Sequence, residues 1–397
     1  MEHEILTGVI TLLIASVALI VLFERLKLPI LLAYLLVGIV LGPDVMAVIP
    51  HTENLHSFAE FGVVLLLFTI GLEFSLSKLW MLRKHVFGLG GAQVVVIALI
   101  GALITWYAGL TAVAAFIIGG ALALSSTAVV SRELSRRDEL GKQHGRIAIA
   151  VLIFQDIAVV PFLILIPVLA SDSTEIFSEI AGALLTGVVV ISLMIVAGRW
   201  LLRPLFRHIA GQGSEELFTL ITLLLALAAA WITEFSGLSL ALGAFLAGVM
   251  LSETEYRHRL INEIRPFRDV LLGFFFIVIG MMLDLVAVKS LYPWMLLIVL
   301  ILIIGKTLVI KLLARLFNVP RQIALHTGFI LSQAGEFGLV IVMLATSEGL
   351  LSKSVEQLVL GVIILSIALT PLMIILAEPI TRKLCARPAD IKEEMQS

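Results

Sequence analysis

The sequence predicts an all-α polytopic membrane protein with about 13 transmembrane helices, and three observations predict it. Of its 397 residues 60% are hydrophobic and only 14% charged, with a mean hydropathy of +1.12. That balance suits a lipid-embedded bundle and not a soluble core. The apolar residues gather into runs close to the roughly 20 residues a helix needs to cross hydrocarbon. The basic residues fall almost entirely into alternate loops.

The runs lie near 5–23, 29–42, 57–75, 86–109, 111–131, 146–170, 177–201, 215–234, 238–252, 270–287, 293–314, 322–347 and 355–380. The second and ninth are short enough to be tilted or broken. The links between them are brief, so no soluble domain interrupts the bundle. The opening MEHEILTG lacks the basic stretch of a secretory signal, so the first run is read as a retained span. The single Cys385 excludes an intrachain disulfide framework. The net charge of −2 says little about partners, because the charges are sorted by side; nothing points to nucleic acid.

With the N-terminus outside, 23 of the 27 Lys and Arg occupy inner loops and the C-terminal tail. The basic loop Arg132, Arg136, Arg137, Lys142 and Arg146 is the richest of the loops. Only Lys289 and Lys353 fall outside, and Lys306 and Lys311 lie within a span. A missing or extra span would scramble that bias. Trp80, Trp106, Trp200, Trp231 and Trp294 all fall at run ends, where indole prefers the membrane interface.

Thirteen spans divide into runs 1–6 and 8–13, two inverted repeats, with a linker helix at 177–208 between them. The fifth member of each repeat carries a small, polar interruption at mid-depth. In run 5 it is Ser125, Ser126 and Thr127; in run 12 it is Gln333, Ala334, Gly335 and Glu336. Matched interruptions are the sequence mark of a transporter site, because unwound backbone survives in a membrane only where protein or water satisfies it. Discontinuous helices that cross are therefore expected.

Run 6 carries Asp156 near its middle with the amide Gln155 beside it. An ionised carboxylate at that depth costs about 2.5–3.5 kcal/mol on the more lenient insertion scales, so it marks function unless it merely pairs with a base to pin two helices. Pro161 has no N–H to offer the Ile157 carbonyl, which leaves an oxygen loose one residue past the acid. A carboxylate and a loose carbonyl suit a cation that has shed its water. Ser125, Ser126 and Thr127 add hydroxyls; taken alone they read as an ordinary helix contact.

Other ionisable groups within the runs have competing readings. Lys306 either neutralises the negative ends of broken half-helices, pairs with Asp156, or competes with the bound cation. Lys311 sits nearer the inner face and can snorkel. Glu336 either balances half-helix N-termini or lines the cation path, with Gln333 beside it. Glu60 and Glu73 lie toward opposite ends of run 3, and Asp284 near the outer end of run 10, where interfacial acids are ordinary. His51 and His56 have no supporting ligands, and the remaining histidines, of which His326 is nearest mid-depth, lie in loops or at helix ends. A transition-metal site is not expected. No phosphate-binding glycine loop and no nucleophile–base pair points to an enzyme, and no cofactor is expected in the chain.

The stretches FQDIAVVP, ALALSSTAVVSREL, FAEFGVVLLLFTIGLEF, GAFLAGVMLSETEYRHRL and SQAGEF resemble the Kef-type monovalent cation:proton antiporters of the wider NhaA/NapA-like fold. The resemblance covers the membrane portion, 1–380, in order. It implies a homodimer in a bacterial inner membrane. It divides each protomer into a dimerisation part, 1–85 and 215–287, and an ion-translocating part, 86–170 and 293–380. Antiporters of this fold with two adjacent acids typically exchange two protons per ion. Here Gln155 replaces the first, which leaves Asp156 to hold either a proton or a cation, an electroneutral exchange.

Gln-Asp is similar to the pair in Kef potassium efflux systems, so potassium is the expected substrate, bound by Asp156, Gln155, Ser125, Ser126 and Thr127. Kef systems also carry a cytoplasmic nucleotide-binding domain regulated by glutathione. Residues 381–397 are a short cytoplasmic tail in which that domain is expected to be absent, leaving room for an ancillary subunit. The inner loop 253–269, with Arg257, Arg259, Asn262 and Glu263, resembles the loop that contacts the domain, or is a solvated charged loop. The rival readings are a sodium:proton antiporter on the same scaffold, a gated potassium channel, for which no TVGYG-like filter is present, and an organic-anion symporter.

Overall fold

In hydrocarbon a backbone must satisfy its own N–H and C=O groups, so each apolar run is driven into a helix. The computed structural model is accordingly all-helical among the residues it describes, which are 2–47, 53–73, 76–170, 215–236, 239–252 and 254–385, with a few positions between 181 and 196. Run 7 and the linker helix read at 177–208 otherwise fall outside the described residues. Among the described residues, six helical stretches are long and apolar enough to cross a membrane, and shorter apolar helices lie at Ile30–Leu41, Phe61–Glu73, Leu240–Ser252 and Glu336–Ser347.

The chain forms two compact units, one of residues 1–78 and 160–285 and one of 79–159 and 286–397. The first holds α1 (Glu2–Arg25), α2 (Ile30–Leu41), α3 (Glu53–Glu73), the end of α8 (Gln143–Leu169), α9 (Glu215–Phe235), α10 (Leu240–Ser252) and α11 (Arg257–Met282). The short helix α4 (Leu76–Met81) straddles the boundary. The two runs read as short are α2 and α10, at 12 and 13 residues. Phe68, Leu72, Phe218, Ala226, Ala244, Leu251 and Ile264 form a buried core. Helices in lipid associate through close packing, and here glycine permits it. A Cβ on Gly248 would strike the Phe68 carbonyl.

Within the stretch 253–269, residues 257–269 are not a loop. The stretch is helical from Arg257, and α11 continues through Pro266 to Met282. Its charge density suggested solvent, but Leu260 and Ile264 fall four residues apart and are fully buried, a helical stripe. Arg257 donates from Nε and Nη2 to the carbonyls of Leu72 and Glu73, at 2.8 and 2.7 Å, capping the end of α3. The boundary between runs 10 and 11 also moves. It lies at Leu283–Asp284, and α12 (Leu285–Leu316) runs straight through Pro293.

The second unit opens with a π-helical turn, Lys84–Gly90, that leads into α5 (Gly91–Tyr107). It continues with α6 (Ala112–Ala123), α7 (Thr127–Arg136), the larger part of α8, α12, α13 (Arg321–Ile330), α14 (Glu336–Ser347) and α15 (Lys353–Cys385). Val94, Val130, Leu134, Val151, Ile310, Ala324 and Ile330 are among its buried residues. Leu99, Leu103, Ile104, Leu300, Ile304 and Leu308 stand exposed on α5 and α12, faces suited to lipid. Runs 5 and 12 are each broken where the polar residues sit, at Leu124–Ser126 and at Leu331–Gly335.

Candidate ion-binding site

A broken helix exposes carbonyls at the end of its first half and N–H groups at the start of its second. The first interruption answers both. Lys306, on α12 and only 2% exposed, points its ammonium at the end of α6. Its Nζ lies 3.0, 3.2 and 3.3 Å from the carbonyls of Leu122, Ala123 and Leu124. The same atom donates to the Gln333 carbonyl at 2.7 Å and to Ser125 Oγ at 3.0 Å. One cation thus serves the negative end of α6 and the second interruption together. Of the three readings of Lys306, this contact set is the helix-end one.

The N-terminal side of the interruption faces acids. Ser126 caps α7 by accepting from Val129 N–H at 3.2 Å. Thr127 donates its hydroxyl to Asp156 Oδ1 at 2.9 Å. Glu336, at the start of α14, accepts from Ala128 N–H through Oε1 at 3.2 Å. Both carboxylates therefore meet the positive end of α7. Asp156 is half-buried, whereas Glu336 is buried and its Oε2 has no partner.

Consecutive residues on a helix point about 100° apart, and α8 uses this to divide the labour of Gln155 and Asp156. Gln155 is fully buried. Its oxygen accepts from Ser125 N–H at 2.7 Å, while its Nε2 donates to Gln93 Oε1 at 2.7 Å and lies 3.4 Å from the Ala123 carbonyl. Gln93 in turn donates to that carbonyl at 2.9 Å. Asp156 instead reaches the first residue of α7.

The second interruption is built against the first. Ser125 Oγ donates to the Leu331 carbonyl at 2.9 Å, and a Cβ on Gly335 would strike the Ser125 carbonyl. Only glycine lets the two unwound strands approach so closely. Ser366 on α15 accepts from Ala334 N–H at 3.1 Å. The Gln333 side chain is fully buried with both its nitrogen and its oxygen unpartnered.

Structure thus brings together Ser125, Ser126, Thr127, Gln155, Asp156, Lys306, Gln333 and Glu336. It adds Gln93 and Ser366, which sequence reasoning passed over. Each is a lone polar residue in an apolar helix, a signal too common to single either out. Arg257, Arg259, Asn262 and Glu263 lie elsewhere, in the first unit. There Arg259 sits over the Phe218 ring at 4.3 Å, Glu263 accepts from Thr219 at 2.8 Å, and Asn262 is exposed.

Two interrupted helices that meet around a half-buried carboxylate are the mark of a secondary-transporter fold. The chain belongs to the sodium/hydrogen exchanger transmembrane family, whose model matches residues 12–376. It is similar to a putative K(+) efflux antiporter KefB of Alkalimonas amylolytica, 42% identical over 90% of this chain and 54% of that relative. It is also similar to the chloroplastic K(+) efflux antiporter 2 of Arabidopsis thaliana, 41% identical over 93% of this chain and 32% of that relative. The chain therefore spans about half the length of the bacterial relative and a third of the plant one. Among solved structures, the sodium proton antiporter MjNhaP1 from Methanocaldococcus jannaschii at pH 8 aligns with a TM-score of 0.71. That alignment covers 97% of this chain and 100% of the other, and at 19% identity it shows the fold. The Kef-type resemblance drawn from the motifs agrees with these relatives.

Proposed function

We propose that this chain is the membrane part of a potassium:proton antiporter in which Asp156 carries proton and cation in turn. The observation that carries the reading is the division between the neighbours on α8. Gln155 is engaged with buried backbone and with Gln93, whereas Asp156 is half-buried and held by Thr127. A single carboxylate cannot hold a proton and a potassium ion at once, so competition couples the two fluxes one for one. Thr127 is the nearest hydroxyl to the ion, and Ser125, Ser126 and Gln155 hold the polar wall behind it. Glu336 and Gln333 supply a second, buried set of oxygens. The names of the relatives support potassium. The family name and the structural neighbour favour sodium as the alternative substrate.

The same proposal makes the second unit the ion-translocating part and the first the dimerisation part of a homodimer. It takes thirteen spans in two inverted repeats from the apolar runs and their matched interruptions, the N-terminus outside from the charge bias of the loops, and an inner membrane from the Kef-type resemblance. In liposomes with an imposed pH gradient, potassium should collapse the gradient faster than sodium. Asp156→Asn should lower the rate at least about 100-fold, the scale of losing a positioned proton-transfer group, and leave the fold intact. Undiminished exchange in Asp156→Asn would refute the carrier role; faster sodium exchange would move the substrate to the alternative.

A further inference from the structure

Away from the interruptions, three side chains with no part in the proposed exchange converge within the second unit. Glu139 lies in the link after α7, His144 in the first turn of α8, and His326 on α13. One ligand atom from each lies within 4.8 Å of the others, and all three residues are under a tenth exposed. His144 Nε2 stands 3.3 Å from Glu139 Oε2. The two imidazoles stack with centroids 4.0 Å apart and 7° between their planes. His326 Nε2 is buried with no hydrogen-bond partner, and a buried ring nitrogen in that position has room for a partner such as an ion or a water.

We propose that Glu139, His144 and His326 form a site for a first-row divalent metal ion of the zinc class. Two imidazole nitrogens and one carboxylate oxygen are a donor set that such ions take, with a fourth position left for water. The backbone shapes the cluster beforehand. Asp138 takes a positive φ of 51°, and Glu139 N–H donates to the Leu134 carbonyl at 2.8 Å. A Cβ at Gly145 would strike the Glu139 carbonyl, so the link folds tightly onto the start of α8. Lys142 holds the other carboxylate oxygen, Oε1, at 3.1 Å, which orients the carboxylate and leaves Oε2 toward the rings.

A metal must lie in the plane of each ring that binds it. Nearly parallel rings therefore require one imidazole to turn about its Cβ–Cγ bond as the ion enters. The bound ion would tie the link after α7 and the start of α8 to α13, the helical half that leads into the second interruption.

The test is zinc binding to the purified, untagged full chain, read by competition with a chromophoric chelator and by X-ray absorption at the zinc edge. One zinc per chain is expected, with two imidazole nitrogens at about 2.0–2.1 Å. His326→Ala and Glu139→Gln should each weaken binding at least about tenfold. The absorption measurement uses the unaltered protein, so it stands whether or not the variants fold. Zinc without imidazole in its shell, no zinc bound, or affinity unchanged in both variants would overturn the proposal.

Discussion

The two interruptions look alike in sequence but are satisfied differently. At the first, Leu124–Ser126, the groups freed by unwinding find partners within the protein. Lys306 takes the carbonyls, Gln155 takes the Ser125 N–H, and Ser126 caps the helix that follows. At the second, Leu331–Gly335, Ser366, Ser125 and Lys306 hold the backbone, but no side chain caps α14. The Gln333 amide and Glu336 Oε2 are left buried without partners. The first break is satisfied within the protein, and the second keeps spare hydrogen-bonding capacity.

Substitutions can break that contrast. Lys306→Met removes a cation that serves both interruptions and leaves buried carbonyls without their donor, which should cost about 3 kcal/mol or more at about 1–3 kcal/mol for each unsatisfied group. The measurement is the thermal midpoint of the purified protein, and an unchanged midpoint would show that the carbonyls are satisfied elsewhere. Gln155→Leu orphans Ser125 N–H and the Gln93 amide oxygen, at about 2 kcal/mol by the same assay. Gly335→Ala pushes a methyl against the Ser125 backbone, at about 1–3 kcal/mol, and its exchange rate should fall more than its stability suggests. Gln333→Leu should leave stability within about 0.5 kcal/mol, or raise it, because it removes polar atoms that have no partner. If the spare capacity is used in transport, exchange nevertheless slows in this variant. Normal exchange would show that the Gln333 amide takes no part in transport.

Some of this was legible before any coordinates. Short runs of small and polar residues marked both breaks because they fall at matching places in two long apolar stretches, whereas Ser-Ser-Thr alone would pass for an ordinary helix contact. The run 253–269 misled, since four arginines and four acids outweighed a two-residue apolar stripe. The choice among three roles for Lys306 was not legible at all. A charge declares that it needs partners, and only the packing of α12 against the end of α6 names them. His144 and His326 escaped for the same reason, being adjacent in space and remote in the chain.

The sequence by itself determined the helical class, the position of both breaks and the place of Asp156 within a long apolar run, because hydropathy and residue size act locally along a helix. Tertiary structure alone decided which oxygens Lys306 neutralises, which way Gln155 and Asp156 face, and which polar atoms remain unpartnered. Those outcomes depend on groups far apart in the chain meeting within about 3 Å, and no periodicity encodes that distance.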